Sequence, residues 1–315
     1  MKDPEAFCQA AVRDLRDRIP GTAIVAASGG IDSTIAAVLA QQAIGERARA
    51  IFVDTGFLRQ GELEAVAGYF ARSGVHHRVV DASDRFLGEL DGIADPEEKR
   101  RRIGRTFIRL FEEEAARAGT DRLVQGTIAP DWIESGGSGR DTIKTHHNVG
   151  GVPKDSALTL VEPLRDLYKD EVRLVAEHLK IPQADRQPFP GPGLAVRVVG
   201  PISRDRVALC RAANAIVEEE VEKAIARGAL PRPWQYFAVL LPVRTVGVTG
   251  DNRIHGEAVS VRIVDSRDAM TATAVAPPPE LLRRIAERIT RERAGQIARV
   301  LYAVTDKPPA TIEWE

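Results

Sequence analysis

Within seven positions, Ser28-Gly29-Gly30-Ile31-Asp32-Ser33-Thr34 combines two adjacent glycines, three hydroxyls and one carboxylate. The glycines let the backbone come close to a ligand, and the hydroxyls offer donors. The segment lies between an apolar, β-rich run (Thr22 to Ala27) and residues Ile31, Ile35, Val38 and Leu39, spaced as one helix face. A parallel sheet binds ligands at such a place, at a strand's carboxyl end facing a helix N-terminus. Unpaired helical amides and the helix dipole there favour an anion. Asp32 is out of place beside phosphates unless it holds a magnesium ion that bridges them. The same residues would also suit a serine- and aspartate-capped helix after a tight turn, so the turn alone leaves both readings open. The chain has no G-x-x-x-x-G-K-S/T and no G-x-G-x-x-G following a strand, which disfavours a kinase-like P-loop and a Rossmann dehydrogenase.

The elements that must position this turn alternate along the first half of the chain. Ala50 to Val53 reads as a second strand, Glu62 to Ala71 as a helix, Arg78 to Val80 as a third strand and Leu123 to Gln125 as a fourth. Pro96 to Ala118 reads as a long charged helix that buries Ile103, Phe107, Leu110 and Phe111, and Lys169 to Leu179 as another. That alternation is the mark of an α/β domain with a parallel sheet. Residues from about 128 to 157 are rich in Gly, Ser, Asp and Thr, a length typical of a functional loop. The proline-rich stretch from Pro182 to Pro192 is the natural boundary, giving domains 1–187 and 188–315. The second domain reads as α+β: a strand at Ala195–Val199, a helix at Arg204–Arg227, strands over Phe237–Val264 and a helix at Pro279–Ala303.

Composition narrows the function. The 315 residues carry a net charge of −1, which argues against a nucleic-acid binder. No run is long and apolar enough to span a membrane, and the first residues do not read as a signal peptide, so the expected location is the cytoplasm. The two cysteines, Cys8 and Cys210, lack metal or disulfide spacing. Cys8 reads as preceding an amphipathic helix and Cys210 as lying inside one, both as ordinary buried thiols. Lysine occurs eight times against 36 arginines, so a lysine is here the stronger functional candidate.

The glycine-serine turn resembles the pyrophosphate loop of the N-type ATP pyrophosphatases, which transfer AMP to an oxygen and release pyrophosphate. Among them, further segments are similar to GMP synthetases: Val53-Asp54-Thr55-Gly56-Phe57-Leu58-Arg59; Gln125-Gly126-Thr127 with Pro130-Asp131 and Glu134-Ser135; Ile143 to Gly151; Phe189 to Arg197; Trp234 to Gly250; and Lys307 to Glu315. The resemblance covers essentially the whole chain. It implies a parallel-sheet ATP-pyrophosphatase (adenine nucleotide alpha hydrolase-like) domain followed by a smaller α+β dimerisation domain.

It also implies adenylylation of the 2-oxygen of xanthosine monophosphate (XMP) by ATP, followed by displacement of AMP by ammonia to give GMP. Ser28, Gly29, Gly30, Ile31, Asp32, Ser33, Thr34, Val53 and Gly126 would then bind ATP, with magnesium at Asp32. Asp32, Ser33 and the lid residues Asp131, Glu134 and Lys144 would serve the chemistry. His147, Arg299, Lys307, Ile312 and Glu313 would bind XMP, Arg299 and Lys307 at the monophosphate and Glu313 at purine N–H groups. The adjacent His146 and His147 point apart on an extended backbone, which disfavours a metal pair there. The tail from Lys307 would alternatively be a terminal strand completing the sheet.

One departure from the single-chain form is large. A glutaminase needs a nucleophilic cysteine with a histidine partner, and neither cysteine has an elbow-like glycine context, so a separate glutamine amidotransferase subunit is expected to supply the ammonia. A homodimer through the second domain is expected too, on its apolar run Phe237-Ala238-Val239-Leu240-Leu241. An NAD synthetase-like amidation would share the first loop without requiring the tail. An RNA-thiolation factor would favour a basic face and active-site cysteines.

Overall fold

The computed structural model describes residues 3–129, 157–182, 187–267 and 269–315. Two compact units emerge: residues 1–56, 61–89 and 100–185 form the first, and residues 57–60, 90–99 and 186–315 the second.

The first unit opens with α1 (Pro4–Arg18), whose start is set by chemistry at its end: the Asp3 carboxylate accepts from Ala6 N at 3.0 Å, and Pro4 takes the first helical position. The elements that follow are β1 (Ala23–Ala26), α2 (Ile31–Ile44), β2 (Ala48–Asp54), α3 (Glu62–Arg72), β3 (His77–Asp81), α4 (Ser83–Leu90), α5 (Pro96–Ala118), β4 (Arg122–Val124), β5 (Thr159–Val161) and α6 (Lys169–His178). The strands form one wholly parallel sheet in the order β3-β2-β1-β4-β5. Chain order reverses between β1 and β4, which opens the crevice where parallel sheets take ligands. β1 is flanked on both sides, and its Ala23, Ile24 and Val25 are buried, as the continuous apolar run of a central strand requires. The edge strand β3 is instead mostly exposed. Phe52 meets Phe70 edge-on at 6.2 Å, packing α3 on β2, and Phe86 meets Phe107 at 4.8 Å, packing α4 on α5.

The second unit contains α7 (Arg204–Ala226), β6 (Gln235–Thr249), β7 (Asn252–Asp265), β8 (Thr273–Ala274), α8 (Pro279–Glu292) and β9 (Ile297–Tyr302). Strand β7 is the hub: it pairs antiparallel with β6 and β8 and parallel with β9. Helices α7 and α8 pack together and against the sheet. The architecture is therefore the expected α/β domain followed by a smaller α+β one. Among the described residues, no helix is long and apolar enough to cross a membrane.

Several local expectations are corrected. Residues 193–197 form a 3-10 helix, not a strand: Gly193 sits at φ +64°, and Leu194 N donates to Phe57 O at 2.8 Å, which curls the apolar run. The helix from Pro279 ends at Glu292; Gly295, at φ +80°, turns the chain into β9. Phe237, Ala238, Val239 and Leu240 are fully buried in the second unit's own core, so that run is core and not spare apolar surface. The exposed apolar residues lie further along β6, at Val243, Val246 and Val248. Cys8 lies within α1, not before a helix.

Both thiols are buried, and burial raises the pKa of each, Cys210 to about 11. A thiolate is the reactive form. The folded chain at pH 8 is expected to leave both cysteines unreacted with an aromatic disulfide reagent, and to consume two equivalents only in denaturant. Rapid labelling of the native chain would contradict this burial.

Candidate active site

The turn from Ser28 to Thr34 joins β1 to α2 at the switch point of the sheet. Gly30 is the N-cap of α2 and no side chain caps it. The capped-helix reading of the turn therefore does not hold. The hydroxyls organise the loop itself: Ser33 Oγ donates to Gly30 O at 3.0 Å and accepts from Ser28 N at 3.1 Å, and the Ser28 and Ser33 hydroxyls lie 3.0 Å apart. Thr34 Oγ1 donates to Gly30 O at 2.8 Å and is fully buried, so this hydroxyl braces the turn and is not offered to a ligand. Ser28 and Gly30 are exposed, and Ile31 and Asp32 half-buried. The exposed rim of the turn thus combines hydroxyl, glycine backbone and carboxylate at an uncapped helix N-terminus, a setting that favours an anion.

Two glycines are required by close approach. Gly29, at φ +82°, has no room for a Cβ, which would stand 2.6 Å from Val66 Cγ2. At Gly126, just beyond β4, a Cβ would lie 2.6 Å from the Asp32 carbonyl carbon and 2.7 Å from Ser33 N. The end of β4 therefore lies flush against the first turn of α2. Val53, buried at the end of β2, and Ala27, whose N donates to Ile51 O at 3.0 Å, complete the same carboxyl edge. The structure thus brings Ser28 to Thr34, Val53 and Gly126 to one edge of one unit. Magnesium commonly binds through one or two carboxylates plus phosphates and water, and the single carboxylate Asp32 fits that donor set. Among the described residues no three His, Cys, Asp or Glu side chains converge as a cage for a metal. A recess of about 920 Å³ lies at the opposite, amino-end edge of the sheet, beside Ala48, His76 and Arg117, and does not include the turn.

Asp131, Glu134, Lys144 and His147, and the lid over residues 128–157, lie wholly or mostly outside the described residues. The remaining expected residues are in the second unit. Ile312 is buried with Phe237, Val239, Val264 and Ala272 in the unit's core, so its side chain packs against protein. Glu313 accepts two hydrogen bonds from Arg197, at 2.7 and 3.0 Å, and one from Gln235 Nε2 at 3.1 Å. Lys307 Nζ donates to Ala269 O at 2.8 Å, and its backbone exchanges two bonds with Ala272. Arg299 projects from β9 as an exposed side chain.

The tail from Ala303 is neither helix nor strand. The sheet is completed by β9 instead. Arg262, almost fully buried, holds the tail by donating to Ala303 O, Thr305 O and Thr311 O at 3.2, 2.5 and 3.4 Å. Lys99, completely buried, pairs with Glu315 and donates to Val198 O at 2.7 Å. Sequence reasoning missed Arg197, Arg262 and Lys99. Two of them are hidden among 36 arginines, but Lys99 carries the scarcity signal that singled out Lys144.

An open parallel sheet in this order, with a glycine-serine turn at its switch point, defines a doubly wound α/β protein. Residues 220–314 match the family model described as the GMP synthase C terminal domain. Over the whole chain, a GMP synthase (glutamine-hydrolyzing) subunit of Thermococcus kodakarensis is 56% identical over 315 residues, covering 99% of each chain. The subunits of the same name from Thermoplasma acidophilum and Methanocaldococcus jannaschii are 54% and 52% identical, covering 96% and 100% of each chain. The chain belongs to this family of GMP synthase subunits.

Because the Gly126 backbone touches the first turn of α2, Gly126→Ala must displace one of them. It is expected to cost about 1–3 kcal/mol of stability and to weaken ATP binding roughly tenfold, about 1.4 kcal/mol. Gly21→Ala, whose Cβ meets nothing within 4 Å, should do neither. Unchanged melting and ATP titration in Gly126→Ala would mean the turn tolerates displacement.

Proposed function

We propose that this chain converts XMP to GMP. The observation that carries the reading is the full-length match to the GMP synthase subunits, together with the uncapped turn at the switch point. The first unit binds ATP, with its phosphates at the exposed rim of the turn from Ser28 to Thr34. Asp32 would hold magnesium, which when bound would supply charge neutralisation for those phosphates. In the first step the 2-oxygen of XMP forms a bond to the α-phosphorus as the bond to the β-phosphate oxygen breaks, releasing pyrophosphate. In the second, ammonia forms the C2–N bond, the C2–O bond breaks, and AMP leaves with the oxygen. Chemistry of this kind is mostly positioning and electrostatic stabilisation. Here the chain contributes a braced loop, amides directed at the phosphates and one carboxylate.

In this reading Lys307 and Arg299 meet the monophosphate of XMP. The Lys307 ammonium spends one donor on Ala269 and has two left. Glu313 accepts from the purine ring, and Asp131, Glu134, Lys144 and His147 keep the roles the resemblance gives them. Ammonia comes from a separate glutamine amidotransferase subunit in the cytoplasm.

The test is pyrophosphate release from ATP and ammonium, with XMP compared against deamido-NAD. XMP alone should support it, and Asp32→Asn should abolish it at saturating magnesium with the fold intact. Glutamine should replace ammonium only when the partner subunit is added. Turnover with deamido-NAD, or glutamine hydrolysis by the isolated chain, would overturn the assignment.

The same reading includes a homodimer through the second unit, supported by the exposed Val243, Val246 and Val248 on β6. Two-fold self-pairing is the commonest assembly. Light scattering at micromolar concentration should return twice the protomer mass, falling to one mass in Val246→Glu/Val248→Glu. A monomeric parent chain would exclude it.

A further inference from the structure

The pair formed by Arg197 and Glu313 is lopsided in a way that a purely structural ion pair need not be. The Arg197 side chain is fully buried, whereas Glu313 keeps 20% of its side-chain surface. The guanidinium lies over the Phe237 ring at 4.1 Å and near the Phe189 ring at 5.2 Å. Its Nη1 donates to Asn214 Oδ1 at 3.4 Å, and that same oxygen accepts from Ala238 N at 3.2 Å. The cation is therefore clamped on its faces and at one end. Its remaining fork, Nε and Nη2, grips both oxygens of Glu313 at 3.0 and 2.7 Å.

A two-point grip of this kind fixes the plane of a carboxylate as well as its place. It does not exhaust the carboxylate. Glu313 Oε1 takes a second bond from Gln235, while Oε2 receives only Arg197 Nε of these donors. A carboxylate has about four lone-pair sites, so acceptor capacity is left on a side chain that keeps part of its surface exposed.

Holding the tail in place does not by itself call for this pair. Arg262 already grips three tail carbonyls, and Lys99 holds Glu315. Buried ion pairs are in any case weak sources of net stability compared with apolar side chains of like volume. We propose that Arg197 is a positioning residue for the substrate site: it orients Glu313 so that the spare lone pairs of the carboxylate meet the ring N–H of a purine nucleotide. This rests on the reading above, in which Glu313 contacts the purine. The ligand class follows from the chemistry, since an ionised carboxylate held in a fixed plane accepts from a planar, N–H-bearing base.

The test is a double-mutant cycle on the full chain, assayed with ammonium for the KM of XMP, the KM of ATP and kcat, with melting followed in parallel. Arg197→Lys keeps the charge and loses the fork. It should raise the KM of XMP roughly tenfold, the range of one charge-assisted hydrogen bond, while the KM of ATP stays within about twofold. Glu313→Gln should raise the KM of XMP as well. In the Glu313→Gln background, Arg197→Lys should add less than about twofold, because its effect runs through the carboxylate that is gone. Arg262→Lys, which loosens the tail without touching Glu313, should add its full effect in both backgrounds. Additive effects of Arg197→Lys and Glu313→Gln, or an XMP KM unmoved by Arg197→Lys alone, would overturn the positioning role. An XMP KM unmoved by Glu313→Gln would instead overturn the underlying reading of Glu313. Should Arg197→Lys fail to fold, Asn214→Ser carries the same cycle, since it removes the end support of the guanidinium and leaves the ion pair.

Discussion

The candidate active site depends on one close approach: the backbone at Gly126 lies against the Asp32 and Ser33 backbone with no room for a Cβ. That contact sets how far the first turn of α2 stands from the end of β4. It thereby sets the width of the crevice at the point where strand order reverses. Everything placed on the carboxyl edge refers to it. The turn's hydroxyls brace Gly30 O from below, Val66 closes the space beside Gly29, and the N-cap residue Gly30 brings no side-chain cap to the helix. A helix end in water would recruit a cap. A glycine at the N-cap supplies no such group, and helix-terminal amides favour an anion.

The second unit solves a different problem. Its tail has no ladder beyond one bridge at Lys307 and no helix, so backbone pairing cannot hold it. Buried cations do so instead. Arg262 binds carbonyls, Lys99 binds the carboxylate of Glu315, and Ile312 enters the core beside Phe237. Along 312–315, Ile312, Glu313 and Glu315 reach protein partners while Trp314 is exposed, which anchors the segment without strand partners. Burying charge is tolerable only where each partner is satisfied, and here the carboxylates come from the segment being held.

Legibility in the sequence followed the physical range of each signal. Helix α5 was readable to its bounds, since Pro96 starts it and Ile103, Leu110 and Phe111 mark its buried side. The parallel α/β alternation and the glycine-serine turn were equally local. The 3-10 helix at 193–197 was not, because Leu194 to Val199 is β-rich and only the Phe57 backbone bends it. Strand β9 hid behind helix-compatible spacing that Gly295 interrupts. Gly126 was identified through family resemblance, whereas its reason, a neighbour more than ninety positions away, is tertiary. The partners of Glu313 were illegible for the same cause.

The second unit also borrows chain from within the first. Residues 57–60 and 90–99 belong to it, although the sequence on both sides of each builds the parallel-sheet unit. During synthesis those two stretches leave the ribosome long before residues 186–315, which carry their partners: Gly193 and Leu194 for Phe57, Glu218 for Arg59, Ile202 for Gly92 and Ile93, and Glu315 for Lys99. Domains generally fold as units, amino-terminal first. In this chain the first unit can close early, but two of its loops must wait, exposed, for translation to finish. A ribosome-bound nascent chain would therefore present these two stretches before residues 186–315 exist to cover them, and there chaperone engagement and proteolytic nicking of an incomplete chain would concentrate.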